Sequence, residues 1–369
     1  MILVGAAVAS LVVVFALFRL IAELHWTRQE VPADSLFGIN FSCDQAEYLL
    51  LETADGPYAS DDRAGRAQWC GEVLGRILDA TGAKYVRLSL VWDEVEPSED
   101  EYDFSTPDEL LRVAGEHGAA VALSIGMKAQ RHPEFYIPEW VLQDRRIEAG
   151  EVISDDPVVR ARALAMVAVA TRHFAESDVI DAWLAENEPY IASRRVDHVS
   201  LSYEYTAEVA GTIRANDPMG RTVVINHAQH EVTDQRWRRA LADGDTLGQS
   251  LYPRRNAFIF GVKGAVNIME LGLLTPNYAY QAKEAANAGK EFWITELQGE
   301  PWTDTDSRLI TPTNPSANLN PSTFEENILY GRKSGADRIY LWGAEWWLYQ
   351  AEHFGDAAWL EAARGAVGE

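Results

Sequence analysis

From Leu36 to the C-terminus, short continuous apolar runs alternate with longer segments in which apolar residues return every three or four positions. The runs predict strands at Leu36–Phe41, Lys84–Leu90, Ala119–Ile125, Val179–Glu186, Thr222–Asn226, Thr246–Tyr252, Glu291–Glu296 and Asp337–Trp342. The periodic segments predict helices between them. Asp62–Ala80 is one, and Asp155–Phe174 is another, with Val159, Ala163, Met166, Ala170 and Phe174 on one face. A third opens with Thr106 as N-cap and Pro107 in the first turn and stops at Gly118. Pro276–Ala288 and Ser322–Lys333 follow. Gly82, Gly118, Gly289 and Gly335 each stand just before a strand, where a helix C-cap needs a positive φ. The strands are apolar throughout, as expected for strands covered on both faces. Eight such strands with intervening helices predict one (β/α)8 TIM barrel over residues 36–369. An open doubly wound sheet is the competing architecture. It would be expected to carry a glycine-rich phosphate loop after the first strand, and Phe37–Gly38–Ile39–Asn40 holds a single glycine.

The N-terminus follows a different pattern. Ile2 to Phe18 is apolar except for Ser10, Arg19 interrupts, and Leu20–Ile21–Ala22 resumes. This length is near the lower limit for a membrane span. With no basic leader and no small-residue cleavage site, residues 1–26 are expected to be an uncleaved signal anchor, and residues 27–35, with Pro32, a linker. The alternative is a buried N-terminal helix, which would normally show a polar stripe. Arg19 and Arg28 after the span favour a cytoplasmic barrel by the positive-inside rule.

Composition narrows the choice of partners. A net charge of −24 argues against nucleic acid, whose phosphates would be repelled. The two cysteines, Cys43 and Cys70, are too few and too far apart for a zinc knuckle. They would form one disulfide in an exported domain or stay as buried thiols. No His, Asp and Glu set has a coordinating spacing such as His-Glu-x-x-His, and no nucleotide or flavin fingerprint is present, so no metal and no cofactor are expected.

The candidate chemistry lies at the strand ends, where such barrels build their sites. Glu188 follows the fourth strand and precedes Pro189, and Glu296 closes the seventh. Two carboxyl groups delivered by separate strands of one barrel are the equipment for breaking a glycosidic bond. Glu186 and Glu300 are their rivals, the first expected within the strand and the second in a loop. Other strand ends offer Arg87, Lys128, Arg131, His132, Asn187, His227, Tyr252 and Trp342. Tryptophans in segments after strands, namely Trp140, Trp302, Trp346 and Trp347, would suit the apolar faces of sugar rings. Trp346–Trp347–Tyr349 is equally readable as ordinary packing.

These residues occur in an order that resembles the clan A glycoside hydrolases. Ala185–Glu186–Asn187–Glu188–Pro189 is similar to the strand-four motif of that clan, and Ile294–Thr295–Glu296 to its strand-seven nucleophile motif. Leu251–Tyr252–Pro253, Tyr340–Leu341–Trp342 and Val86–Arg87–Leu88 resemble the strand-six, strand-eight and strand-two regions, and Trp92–Pro97 with Tyr102–Phe104 a segment after strand two. The general pattern is closest to the family 5 cellulase-like group, while Gly126–Pro133 matches no assignable pattern.

The resemblance implies a retaining hydrolase of an oligo- or polysaccharide. Glu188 would be acid/base, with a raised pKa, and Glu296 the nucleophile. Asn187 would bond the sugar 2-hydroxyl, and Arg87 and Tyr252 would orient Glu296. His227 would bond the acid or the sugar, Trp342 would lie under a ring, and His132 would join the substrate-binding set. A membrane-anchored, extracytoplasmic catalytic domain is expected, because polymeric glycans are mostly outside cells. A transglycosylase using the same carboxylates and a non-catalytic glycan-binding barrel stay open. The segments Lys128–Trp140, Pro253–Gly264 and Glu300–Pro321 are expected to set specificity.

Overall fold

The computed structural model describes residues 35–368 except 52–56, 60–61, 132–133, 144, 194–197, 229–234, 260–261, 271–275 and 304–305, together with residues 13, 14 and 17. Most of the anchor expected over residues 1–26, and nearly all of the linker, therefore lie outside the described residues. Among the described residues no helix is long and apolar enough to cross a membrane.

Among the described residues there are ten strands: β1 (Leu36–Asn40), β2 (Tyr85–Ser89), β3 (Ala120–Ile125), β4 (Ile180–Ala185), β5 (Thr222–His227), β6 (Thr246–Leu251), β7 (Arg254–Ile259), β8 (Val262–Asn267), β9 (Phe292–Gln298) and β10 (Arg338–Trp342). Eight of them close a parallel barrel in the order β1-β10-β9-β6-β5-β4-β3-β2, and these are the eight expected from the sequence. The helices are α1 (Cys43–Leu50), α2 (Arg63–Thr81), α3 (Trp92–Val95), α4 (Ser105–Glu116), α5 (Glu139–Leu142), α6 (Pro157–His173), α7 (Tyr203–Asn216), α8 (Trp237–Asp243), α9 (Tyr278–Asn287), α10 (Pro321–Lys333), α11 (Ala344–Phe354) and α12 (Ala358–Gly368). Gly82 ends α2 at φ +74, and its N–H returns to Leu78 O at 2.7 Å.

Three local expectations change. The α4 helix starts at Ser105, not after Thr106, because the Asp103 carboxylate accepts the Ser105 N–H at 2.9 Å. The Pro253–Gly264 segment, read from the sequence as a specificity loop after the sixth strand, is regular structure: β7 and β8 pair there as an antiparallel hairpin. Trp346, Trp347 and Tyr349 lie on α11 and are buried, with Trp346 edge-on to Trp359 and Trp347 against Phe324, so they pack the body and form no subsite wall.

The core has two parts. A large cluster fills the space between strands and helices. A small one, Ala122, Ala182, Leu184, Val224, Trp293 and Tyr340, fills the barrel interior. Tyr85 packs against it, and Arg338 lies over the rings of both Tyr85 and Trp293 with its charge met by Asp181 at 2.7 Å. Towards the C-terminal ends of the strands the interior turns polar, starting at the buried Arg87.

A register change sets the direction of Glu296. Ile294 pairs with Gln249 of β6 and Glu296 with the next residue, Ser250; on the other side Ile294 pairs with Ile339 and Leu297 with Leu341. Both neighbours thus see one extra residue in β9, a β-bulge at Thr295–Glu296. Trp293 belongs to the interior, while Ile294 and Leu297 both face the helices. Strict alternation from Ile294 would send Glu296 towards the helices as well. The extra residue sends it into the barrel instead, as bulges beside functional sites do.

Candidate active site

The mouth of the barrel opens into a cleft of about 990 Å³ whose lining includes Asn187, Glu188, Tyr252, Glu296, Trp302 and Trp342. Its acidic centre is assembled from several strands. Glu296, from the bulge in β9, accepts a hydrogen bond from Arg87 Nη1 at 2.8 Å on one oxygen and from Tyr252 OH at 2.8 Å on the other. Arg87, on β2, is fully buried and joins four elements. Besides Glu296 it reaches Asn40 Oδ1 at 3.0 Å, Gln130 Oε1 at 3.3 Å and Asn187 Oδ1 at 2.6 Å. Asn40 in turn donates to Thr295 O at 3.1 Å, tying β1 to the bulge. A buried guanidinium with this many acceptors is held in one orientation, and so is the carboxylate it faces. Burial and the Glu296 charge push the Tyr252 hydroxyl well above its ordinary pKa, so it stays a donor.

Glu188 reaches the same cleft by a different route. The β4 strand ends at Ala185, before the expected Glu186, because Glu186 turns to φ +66, and Glu188 follows at φ +45. Left-handed non-glycine residues cost of order 1–3 kcal/mol each and persist only where the surroundings fix them. Here Asn226 at the end of β5 accepts the Glu188 N–H at 2.9 Å, and Ser250 Oγ donates to the Glu188 carboxyl at 2.5 Å. Tyr278 OH holds the backbone carbonyl of Ser250 at 3.1 Å. Burial first, and the Glu296 charge second, raise the Glu188 pKa to about 7, against the opposing influence of Lys128. One carboxyl of the pair is therefore poised to hold a proton near neutrality, and the other is gripped by a guanidinium and a phenol.

The two rival carboxylates have other tasks. Glu186 is buried and accepts Met127 N–H at 3.0 Å, Lys128 N–H at 2.7 Å and Tyr205 OH at 2.7 Å, which fastens the segment after β3. Gly126 makes that approach possible: a Cβ there would lie 2.2 to 2.5 Å from the Glu186 carboxyl. Glu300 lines the cleft but binds Arg131 Nη1 and the Trp342 indole N–H, the latter at 2.9 Å. Arg131 also meets the buried Glu345 at 2.8 Å and lies 4.1 Å over the Trp342 ring.

The remaining sequence candidates divide. Asn187 lines the cleft, with its amide oxygen on Arg87. Arg87 is behind Glu296 and does not line the cleft, so it acts on the carboxylate and not on a substrate. Trp342 lines the cleft at 8% exposure, with one face covered by Arg131. His227 is buried at the end of β5; its neighbour Ala228 lines the cleft, and His227 itself does not. His132 lies outside the described residues. Of the four tryptophans expected after strands, Trp302 lines the cleft, half exposed and 5.3 Å from the Tyr252 ring, whereas Trp140 donates to Glu96 O away from it. Asn40, Gln130, Asn226 and Ser250 escaped the sequence reading. Asn40 and Asn226 carried a signal, each a polar residue at the end of an apolar run. Ser250 carried none, since a serine inside a strand is unremarkable. Among the described residues no three or more His, Cys, Asp or Glu side chains group as metal ligands.

The chain matches the glycoside hydrolase 42 family model, described as beta-galactosidase, over residues 67–203, a stretch that includes the turn bearing Glu188. No curated protein matches the sequence. Solved structures with a similar fold include a GH5_18 protein from Bifidobacterium longum subsp. infantis (14% identity, 90% of this chain and 79% of that one, TM-score 0.57). Others are the cold-adapted beta-galactosidase from Rahnella sp. R3 (13%, 85% and 51%, 0.53) and an exo-beta-1,4-mannosidase from Opitutaceae bacterium strain TAV5 (19%, 84% and 52%, 0.52). The chain spans about half the length of the last two. At these identities the likeness is one of fold, a (β/α)8 barrel shared with glycoside hydrolases.

Proposed function

We propose that the protein is a retaining glycoside hydrolase acting on β-linked sugars, with Glu188 as acid/base and Glu296 as nucleophile. The observation that carries this reading is the asymmetry of the two carboxyls in one cleft. Glu188 is raised to about 7 and backed by Ser250, whereas Glu296 is held on both oxygens by Arg87 and Tyr252. Glu296 attacks the anomeric carbon while Glu188 gives its proton to the departing glycosidic oxygen, leaving a glycosyl ester on Glu296. Glu188, now a carboxylate, then takes a proton from water, whose oxygen attacks the same carbon and releases Glu296. Carboxyls roughly 5–5.5 Å apart are the geometry this sequence needs. The beta-galactosidase family match and the galactosidase and mannosidase folds support β-galactosides and β-mannosides as the first substrates to try.

The test is turnover of aryl β-D-galactosides and β-D-mannosides with the product anomer followed by NMR. Retention is expected, and Glu188→Gln and Glu296→Gln should each remove nearly all activity. Azide should partly restore Glu188→Ala on substrates with an activated leaving group, giving a glycosyl azide of retained configuration. Full activity in either glutamine variant refutes the assignment.

The reading places the barrel outside the cytoplasm. The Cys43–Cys70 disulfide supports this, since such bonds persist in oxidising compartments. Val13, Val14 and Leu17 of the apolar N-terminal run are helical and exposed, which supports a membrane anchor over a helix buried in the barrel. Protease protection of the full chain in sealed membranes tests both points.

A further inference from the structure

We infer that Lys128 is a positioning residue for the acid/base: its amide, carbonyl and ammonium clamp three consecutive residues of the turn that aims Glu188 into the cleft. The inference rests on the reading of Glu188 given above and extends it to a residue that no substrate would touch.

Three contacts make the clamp. Lys128 N–H donates to Glu186 Oε2 at 2.7 Å, Asn187 N–H donates to Lys128 O at 3.0 Å, and Lys128 Nζ donates to Glu188 O at 3.0 Å. One residue on the segment after β3 thereby holds residues 186, 187 and 188 after β4. Two of these sit in the left-handed region, at φ +66 and +45, a conformation that needs external bracing. Asn226 secures the Glu188 N–H from the β5 side. On the carbonyl side the other contact is the Ile191 N–H at 3.4 Å, so Lys128 supplies the stronger hold.

A buried ammonium is expensive unless it is paired, and Lys128 is 1% exposed. Its charge is answered by Glu134, 3.6 Å away, by the Phe135 ring at 5.8 Å, and at longer range by the Glu186 and Glu188 carboxyls. It does not line the cleft. A chain that needed only to fill this space could use an apolar side chain without the desolvation cost. The placement makes sense if the ammonium is there to fix the Glu188 backbone.

A displaced acid/base leaves a particular kinetic mark. Leaving groups that need a proton suffer, and leaving groups that depart unaided do not. The experiment compares wild type, Lys128→Met and Lys128→Arg on phenyl and 2,4-dinitrophenyl β-D-galactopyranosides and the matching mannopyranosides. Lys128→Met should lower kcat/KM for the phenyl glycoside by about 100-fold, the scale of general acid catalysis, and change the dinitrophenyl glycoside by less than ~5-fold. Lys128→Arg should recover part of the phenyl activity. Equal losses on both leaving groups would mean that Lys128 is merely structural, and the inference falls. Should the methionine variant fail to fold, Lys128→Gln, too short to span the gap but polar like the residue it replaces, takes its place with the same expectation. If wild type cleaves none of these glycosides, the acid/base reading fails on that panel and the clamp is judged by geometry alone. A crystal structure of the variant should then show the Glu188 carboxyl gone from Ser250, and an undisturbed Glu188–Ser250 contact overturns the clamp.

Discussion

A carboxyl group that gives up a proton and takes it back works best with a pKa near the working pH, and at Glu188 burial and the nearby Glu296 bring it to about 7. On the proposed mechanism glycosylation needs Glu188 protonated, so kcat/KM for an unactivated glycoside should fall above about pH 7; a profile flat to pH 9 would contradict the assignment. The same shift has a stability consequence. Folded Glu188 keeps its proton up to about 7, while an unfolded carboxyl loses it near 4.5. Stability therefore declines as pH rises through that window and stays reduced above it. Glu188→Gln should melt higher than wild type at pH 8, by ~2–4 °C, and show no gain at pH 4. Tyr252→Phe removes one of the two donors on Glu296 without opening a cavity. A hydrogen bond to a charged group is worth about 1.5–3 kcal/mol, so kcat should drop about 10- to 100-fold on the proposed mechanism, and Tm should fall as well. Glu186 is also raised to about 7, but its contacts are Met127, Lys128 and Tyr205 and it does not line the cleft, so its own proton is not the one passed to a substrate.

The elements were legible to within a residue or two wherever their cause was local. The apolar runs gave all eight barrel strands, and Gly82 ended α2 where a left-handed cap was expected. What escaped had causes elsewhere in the chain. The β7–β8 hairpin is made by the pairing of its own two strands, each too mixed in polarity to be recognised alone. The bulge in β9 depends on how its neighbours β6 and β10 register against it, and no feature of Ile294–Thr295–Glu296 announces it. The close approach of Glu186 to Gly126 is likewise invisible before β3 and β4 lie side by side. It yields a test at this scale. Gly126→Ala puts a methyl group into the Glu186 carboxyl and forces φ +153 on a residue with a Cβ, whereas Gly82→Ala enters open space at φ +74. Gly126→Ala should therefore lower Tm by several degrees more than Gly82→Ala, and equal effects would deny that Glu186 is fixed where described.

In the molecule as a whole, the barrel is braced from outside by the Cys43–Cys70 disulfide, which links α1 to α2 across 27 residues of chain. The α1 helix carries Asp44, Gln45 and Tyr48 to the rim of the cleft. Replacing both cysteines by serine should cost about 2–4 kcal/mol in chemical denaturation, and a reductant should reproduce the loss in wild type and leave the double variant unchanged. Periodicity, capping residues and strand-end polarity determined by themselves that this chain is a (β/α)8 barrel with Glu188 and Glu296 near its mouth, because each of those signals resides within a few consecutive residues. Tertiary structure alone decided what raises the Glu188 pKa, that Arg87 reaches Glu296 without lining the cleft, that Arg131 covers one face of Trp342, and that a bulge turns Glu296 inward. Those outcomes depend on groups brought together from strands far apart in sequence, and desolvation, charge and register exist only once the barrel has closed.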